Sequence, residues 1–270
     1  MKYIEDKIVR LDDKLVKPLS EEDCWNLYCD EGYYDDFIKV NNTMYKVKHA
    51  DRKLENELIG EEIAKYFHLQ TVNNFLASYN GEIMLLNKVF TDMYGDYGAV
   101  TRFPKVKQDF LSGLNNLDNL TEYYSIDNIT NISVSKNSQK HLKRDILKMV
   151  VCDYLMGQKD RVKSNFLFSF NKDEVSLLPL FDYELSFLPE IKLSECNGYF
   201  NFNLKQLSVI EYIKSSDYIK KLLNMAMQLD MNNIILRVME KGIVLTDDEK
   251  QLYIDCIKAK QEEIINSKVI

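Results

Sequence analysis

The stretch Met156–Asn165, MGQKDRVKSN, interrupts an apolar helical pattern and is followed at once by the apolar FLFSF of residues 166–170. Gly157 suits a helix exit, because it adopts positive φ without steric cost. Beyond it Asp160, Arg161, Lys163 and Asn165 sit in a loop between two segments that read as buried. A second acid, Asp182, follows the next strand pattern. Strands joined across a short turn bring their outer ends together, so Asn165 before one strand and Asp182 after the other can face a common point. A carboxylate and an amide oxygen are hard ligands of the kind Mg²⁺ accepts beside phosphate oxygens and water. Asp160 is then left free to act as a base.

Upstream, Phe37–Val40 and Thr43–Lys48 read as two strands around Asn41-Asn42, since Asn tolerates the positive φ of a hairpin turn. Asp51 is the expected cap of a helix running to about Phe67, with Leu54, Leu58, Ile59, Ile63 and Phe67 at helical spacing. Strands at residues 72–79 and 82–90 flank Asn80-Gly81, a strong hairpin signal. Strand, strand, helix, strand, strand makes a small sheet carrying one helix. Residues 91–100, TDMYGDYGAV, read as a connection.

After that connection the chain turns mainly helical. Residues 128–138 read as a polar loop and 139–156 as a helix with Leu142, Ile146, Val150 and Tyr154 on one stripe. Strands are expected at 165–170 and 175–180, and helices from about Leu204, the last capped by Thr246 with a charged, solvated face. In residues 1–31, Trp25 and Tyr28 read as anchors of a short helix.

With 270 residues and 46% hydrophobic content the chain can bury a substantial core. A formal net charge of −7 disfavours broad binding to nucleic acid or an anionic membrane. The opening MKYIEDKIVR has acids and no apolar core, so it does not read as a secretory signal, and no run approaches a membrane span. The expected location is cytoplasmic, with secretion as an effector by another route left open. The cysteines, 5 in number, read as reduced thiols, and His49, His68 and His141 as surface or helix-end residues. Arg161 reads either as an internal ion-pair residue or as an exposed one.

Phosphoryl transfer calls for a metal, a carboxylate that orients or accepts the hydroxyl proton, and a lysine on the phosphates held by an acid. Lys48 ends the second strand and Glu57 lies on the helix that follows, so a helix packed on the sheet can aim one at the other. Lys46 shares the strand face of Lys48, because side chains alternate with period two, and pattern alone does not choose between them.

The runs CDYLMGQKDRVKSNFLF and LPLFDYELSF resemble the HipA-like protein kinases, and VKHADRKLENELIGEEIAKYFHL resembles their lysine strand and following helix. The resemblance covers roughly residues 33–190. It implies an α+β, bilobal protein-kinase-like fold, with residues 1–95 as a β-rich N-lobe carrying one helix and 96–270 as a larger, mainly α-helical C-lobe. It further implies an ATP- and Mg²⁺-dependent Ser/Thr protein kinase of toxin or effector type, with a protein substrate and a small antitoxin or regulatory protein as partners. Carried over by position, Asp160 is the base, Asn165 and Asp182 the metal ligands, Lys48 the phosphate lysine because it follows aliphatic Val47, and Glu57 its partner. Leu86, Lys88 and Phe90 fall in the segment lining the adenine slot, mainly through backbone groups. Two departures stand out: Val162 replaces the family's His, and DEGYYDD at residues 30–36 replaces its Gly-rich loop. An inactive kinase-fold binding module is therefore one alternative reading, and a small-molecule kinase, whose acidic cleft would suit a cationic substrate, is another.

Overall fold

The computed structural model describes residues 2–12, 16–17, 37–50, 53–88, 99–102, 135–158, 161, 167–171, 174–187 and 207–270. The expected short helix around Trp25, the acid-rich window 30–36, Asp51, Phe90, Asp160 and Asn165 lie outside these residues.

The chain begins with β1 (Lys2–Tyr3), a single 3₁₀ turn (Glu5–Lys7), β2 (Val9–Arg10) and β3 (Val16–Lys17). The hairpin of β4 (Phe37–Val40) and β5 (Thr43–His49) turns on Asn41 and Asn42, whose φ values of 48° and 68° only a short polar side chain tolerates well. Helix α1 (Leu54–Tyr66) follows. Its N-cap is Lys53, which makes no side-chain cap bond, rather than the expected Asp51. Burial rather than capping holds this helix, since Leu54, Leu58, Ile59, Ile63 and Ala64 are fully buried.

Strands β6 (Asn74–Tyr79) and β7 (Glu82–Lys88) form the second hairpin, with Asn80 and Gly81 at positive φ. The described strands of this part make a six-stranded sheet in the order β2-β6-β7-β5-β4-β3, in which β2 runs parallel to β6 and the other neighbours are antiparallel. β2 and β3, two residues each, are too short to show a period in sequence and extend the four-strand sheet expected.

Strand β8 (Ala99–Arg102) pairs with β9 (Leu167–Asn171), which pairs with β10 (Glu174–Leu177). Between them runs helix α2 (Lys136–Met156). It starts earlier than expected: Ser135 caps it, and 136–138, read as loop from their polar composition, form its first turn. Ser138 faces inward, its hydroxyl donating to the Val175 carbonyl at 3.2 Å and accepting the Val175 amide at 3.0 Å. Gly157, at φ 60°, ends α2 as expected.

Helices α3 (Leu207–Lys214), α4 (Asp217–Met227) and α5 (Met231–Glu240), strand β11 (Ile243–Val244) and α6 (Asp247–Ser267) complete the chain. Thr246 and Glu249 form the expected capping box on α6. The outer helix is not wholly solvated, because Tyr253, Ile257 and Ile264 make a buried stripe. The N-terminus returns to this region: β1 pairs with β11, and the Ile4 amide donates to the Gly242 carbonyl at 2.8 Å.

One large core joins α1, Leu76 and Leu85 of the sheet, α2, and the C-terminal helices. A smaller cluster of Val47, Ala77, Met84 and Leu86 covers the opposite sheet face. That division fixes the side on which chemistry can occur.

Candidate active site

In β5 the alternation of side chains puts Val47 into the small outer cluster and turns Lys46 and Lys48 to the other face. Lys48 is 1% exposed. Its ammonium touches the Glu57 carboxylate from α1 and the Asp182 carboxylate, and lies 3.3 Å from Glu184 Oε2. Lys46 Nζ approaches the other Asp182 oxygen at 3.4 Å. Residues far apart in sequence thus meet at one point.

Asp182 is delivered there by strapping on both sides. Leu180 is bridged to Thr71, with the Leu180 amide donating to Gln70 at 2.8 Å and the Val72 amide donating to Leu180 at 3.1 Å. From the end of α2, Gln158 Nε2 donates to the Asp182 carbonyl at 2.6 Å. Arg161 Nη1 donates to the Phe181 carbonyl at 2.8 Å, while its Nε and Nη2 form a fork on Asp153 at 2.9 and 3.0 Å. Its guanidinium also stacks on the Tyr183 ring, 5.2 Å to the centroid. Of the two readings of Arg161, the internal ion pair is therefore the observed one.

The segment beyond Asp182 is held by α1. Asn56 Nδ2 donates to the carbonyls of Glu184 and Ser186, both at 2.8 Å. Tyr183 is wholly buried against Gly60, where an added Cβ would collide with the tyrosine Cβ and Cγ. A glycine within a helix costs about 1 kcal/mol relative to Ala, and here that cost permits close packing. Asp182 itself has φ 68°, a left-handed conformation that the surrounding bonds impose.

The charges are strongly coupled. Burial would lower the Lys48 pKa, yet Glu57, Asp182 and Glu184 more than reverse it and the ammonium is held charged. Burial would raise the Asp182 pKa, but Lys48, Lys46 and Arg161 hold the carboxyl well below the usual range. Glu57, with no exposure, is pushed up by burial and by Asp182 against the pull of Lys48. Glu57, Asp182 and Glu184 each offer an oxygen within 4.8 Å of the others. Three carboxylates beside two ammonium groups leave an excess of acceptor oxygens, a donor set that fits a hard divalent cation.

Among the residues expected at the site, Lys48, Glu57 and Asp182 are brought together. Leu86 and Lys88 lie on β7, but the register Lys48↔Leu85 and Lys46↔Asn87 turns Leu85 and Asn87 toward Lys48, and Leu86 and Lys88 away. Any contact of Leu86 and Lys88 with groups on the Lys48 face is thus through the backbone. Glu184 was not singled out in the sequence, although it stands two positions beyond Asp182; spacing alone does not reveal a side chain placed by a turn. His49, His68 and His141 are exposed, and Cys152 and Cys256 are free thiols.

No family model and no curated protein matches the chain. Solved structures do. The fold is similar to that of the Helicobacter pylori proinflammatory kinase CtkA, with TM-score 0.56 and 21% identity over 89% of this chain and 94% of that one. It is also similar to HipA of Shewanella oneidensis MR-1, solved in a toxin–antitoxin complex with HipB and operator DNA, with TM-score 0.54 and 13% identity. There the match covers 86% of this chain and 58% of HipA, so the chain spans less than two thirds of that protein. The chain therefore has a HipA-like, kinase-like α+β fold. No described helix is long and apolar enough to cross a membrane.

Proposed function

We propose that this protein is an ATP- and Mg²⁺-dependent protein kinase acting on Ser or Thr, with its lobes meeting near residue 95. The observation that carries the reading is the buried Lys48, gripped by Glu57 from α1 and by Asp182 from the opposite part of the chain. A lysine so held presents a fixed positive charge to phosphate oxygens, and a kinase site requires that its helix glutamate and metal-binding aspartate both be in place. Bound Mg²⁺ would neutralise charge on the triphosphate, and Asp182 with Asn165 would hold it. The substrate hydroxyl oxygen attacks the γ-phosphorus, the bond from that phosphorus to the β–γ bridging oxygen breaks, and ADP leaves. Asp160 takes the hydroxyl proton. Support for Asp160 comes from its neighbours, since Gln158 and Arg161 grip the carbonyls of Asp182 and Phe181.

Likeness to HipA, which was solved with HipB, also supports a small regulatory protein as partner. A cytoplasmic site of action is part of the same proposal. The test is incubation of the pure protein with labelled ATP and Mg²⁺ and a cell extract as protein substrate, beside Asp160→Ala and Asp182→Ala. Label on Ser or Thr, lowered on the order of 100-fold or more in each variant, is expected. Equal labelling in all three proteins overturns the proposal.

A further inference from the structure

Asn87 of β7 stands opposite Lys46 on one side and opposite Asn74 of β6 on the other, so all three lie on the sheet face that carries Lys48. Asn87 Nδ2 donates to Asn74 Oδ1 at 2.6 Å, and the two residues are 4% and 6% exposed. That bond leaves Asn74 Nδ2 and Asn87 Oδ1 buried without a partner. Turning both amides over exchanges their roles but changes nothing else, because two amides that share a single bond always leave one donor and one acceptor over.

Buried amide groups left unmet are costly and seldom persist without a use. The next row on the same face shows the apolar alternative, Leu76 opposite Leu85, both buried. Leucine in place of the asparagines would extend that row at no such cost. The row of Asn74 and Asn87 is also that of Lys46, whose ammonium reaches Asp182 at 3.4 Å. The spare donor and acceptor therefore lie on the sheet face of the charged cluster, in the strand row next to that of Lys48.

We propose that Asn74 and Asn87 together read the base of the bound nucleotide. The spare carbonyl oxygen accepts a hydrogen bond from the exocyclic amino group of adenine, and the spare amide N–H donates to a neighbouring ring nitrogen. This rests on the nucleotide-binding reading above and makes the pair a determinant of base specificity, acting through side chains rather than backbone.

Binding of Mg²⁺·ATP and of purine riboside triphosphate, which lacks the amino group, is compared for the wild-type protein and Asn74→Leu/Asn87→Leu. Without nucleotide the variant is expected to melt at the same or a higher temperature, because both unmet groups go together. Its affinity for ATP falls about tenfold or more, and its preference for ATP over the analogue shrinks by a like factor. An unchanged affinity and preference in the variant overturns the proposal while leaving the kinase reading intact. Equal wild-type binding of the two nucleotides does the same. Failure of the wild-type protein to bind ATP at all overturns both. Should the double variant not fold, Asn87→Thr, with a side chain suited to a strand, takes its place with the same two readouts.

Discussion

The Tyr253 hydroxyl donates to Asn56 Oδ1 at 2.8 Å, joining the C-terminal helix to the helix that carries Glu57. The same asparagine holds the carbonyls of Glu184 and Ser186, so one amide ties three separate parts of the chain. Tyr253→Phe removes the donor and leaves the buried Asn56 oxygen unmet. A loss of about 1–3 kcal/mol in urea denaturation is expected, with the proposed kinase activity reduced far less than by Lys48 substitution.

Lys48→Met leaves Glu57 and Asp182 facing each other without their shared cation. Breaking a buried pair in this way costs about 3–5 kcal/mol, read as a fall in the denaturation midpoint. Lys48→Met/Glu57→Gln removes one of the stranded charges and is expected to recover part of the stability and none of the labelling from ATP. Recovery of activity in the double variant would contradict the role given to Lys48.

Arg161 serves architecture through Asp153 and the Phe181 carbonyl. Arg161→Lys keeps the charge but loses the planar fork, so it is expected to destabilise by about 3 kcal/mol or more rather than behave as a conservative change. Thermal melts of Arg161→Lys and Asp153→Asn should show similar losses. Their combination should cost less than the sum, because both act on one pair.

Gly60→Ala drives a methyl group into the Tyr183 ring. Overpacking of this kind costs about 1–3 kcal/mol. Since Tyr183 adjoins Asp182, loss of nucleotide binding should accompany the loss of stability. Gly60→Ala/Tyr183→Leu should restore the melting temperature in part, and a Gly60→Ala protein indistinguishable from wild type would count against the packing described.

Stability should fall on the acid side because of Asp182. Its carboxyl is held low by Lys48, Lys46 and Arg161 against burial, so the unfolded chain takes up the proton first as pH drops. The contribution is present above the unfolded value of about 3.9 and is lost as pH falls from there through the lower folded value. Glu57, pushed up by burial, acts with the opposite sign. Lys48, raised in the fold, contributes fully below its unfolded value of about 10.4 and loses this as pH rises through the folded one. Urea midpoints measured between about pH 7 and pH 3 should decline less steeply for Asp182→Asn than for wild type.

Much of the fold is legible where local chemistry decides it. Asn41-Asn42 and Asn80-Gly81 mark their hairpins because few residues accept those dihedrals. Gly157 marks the exit of α2, and Thr246 with Glu249 the start of α6. The first turn of α2 was hidden because Ser138 is polar yet faces inward to Val175, a partner outside its own helix. Strands β1 and β11, two residues each, carry no period and exist only through their pairing with one another.

At the site, the alternation of β5 by itself limits the lysine to Lys46 or Lys48, and the spacing of α1 offers Glu57. The sequence by itself therefore determined the longer elements and the residue types able to do the proposed chemistry. Only the tertiary structure decided that Lys48 is the buried partner of both Glu57 and Asp182, that Glu184 joins them, and that Arg161 lies inside. These contacts span 134 positions between Lys48 and Asp182 alone. No local propensity encodes such a distance, because it is set by how one helix packs between a sheet and a helical core.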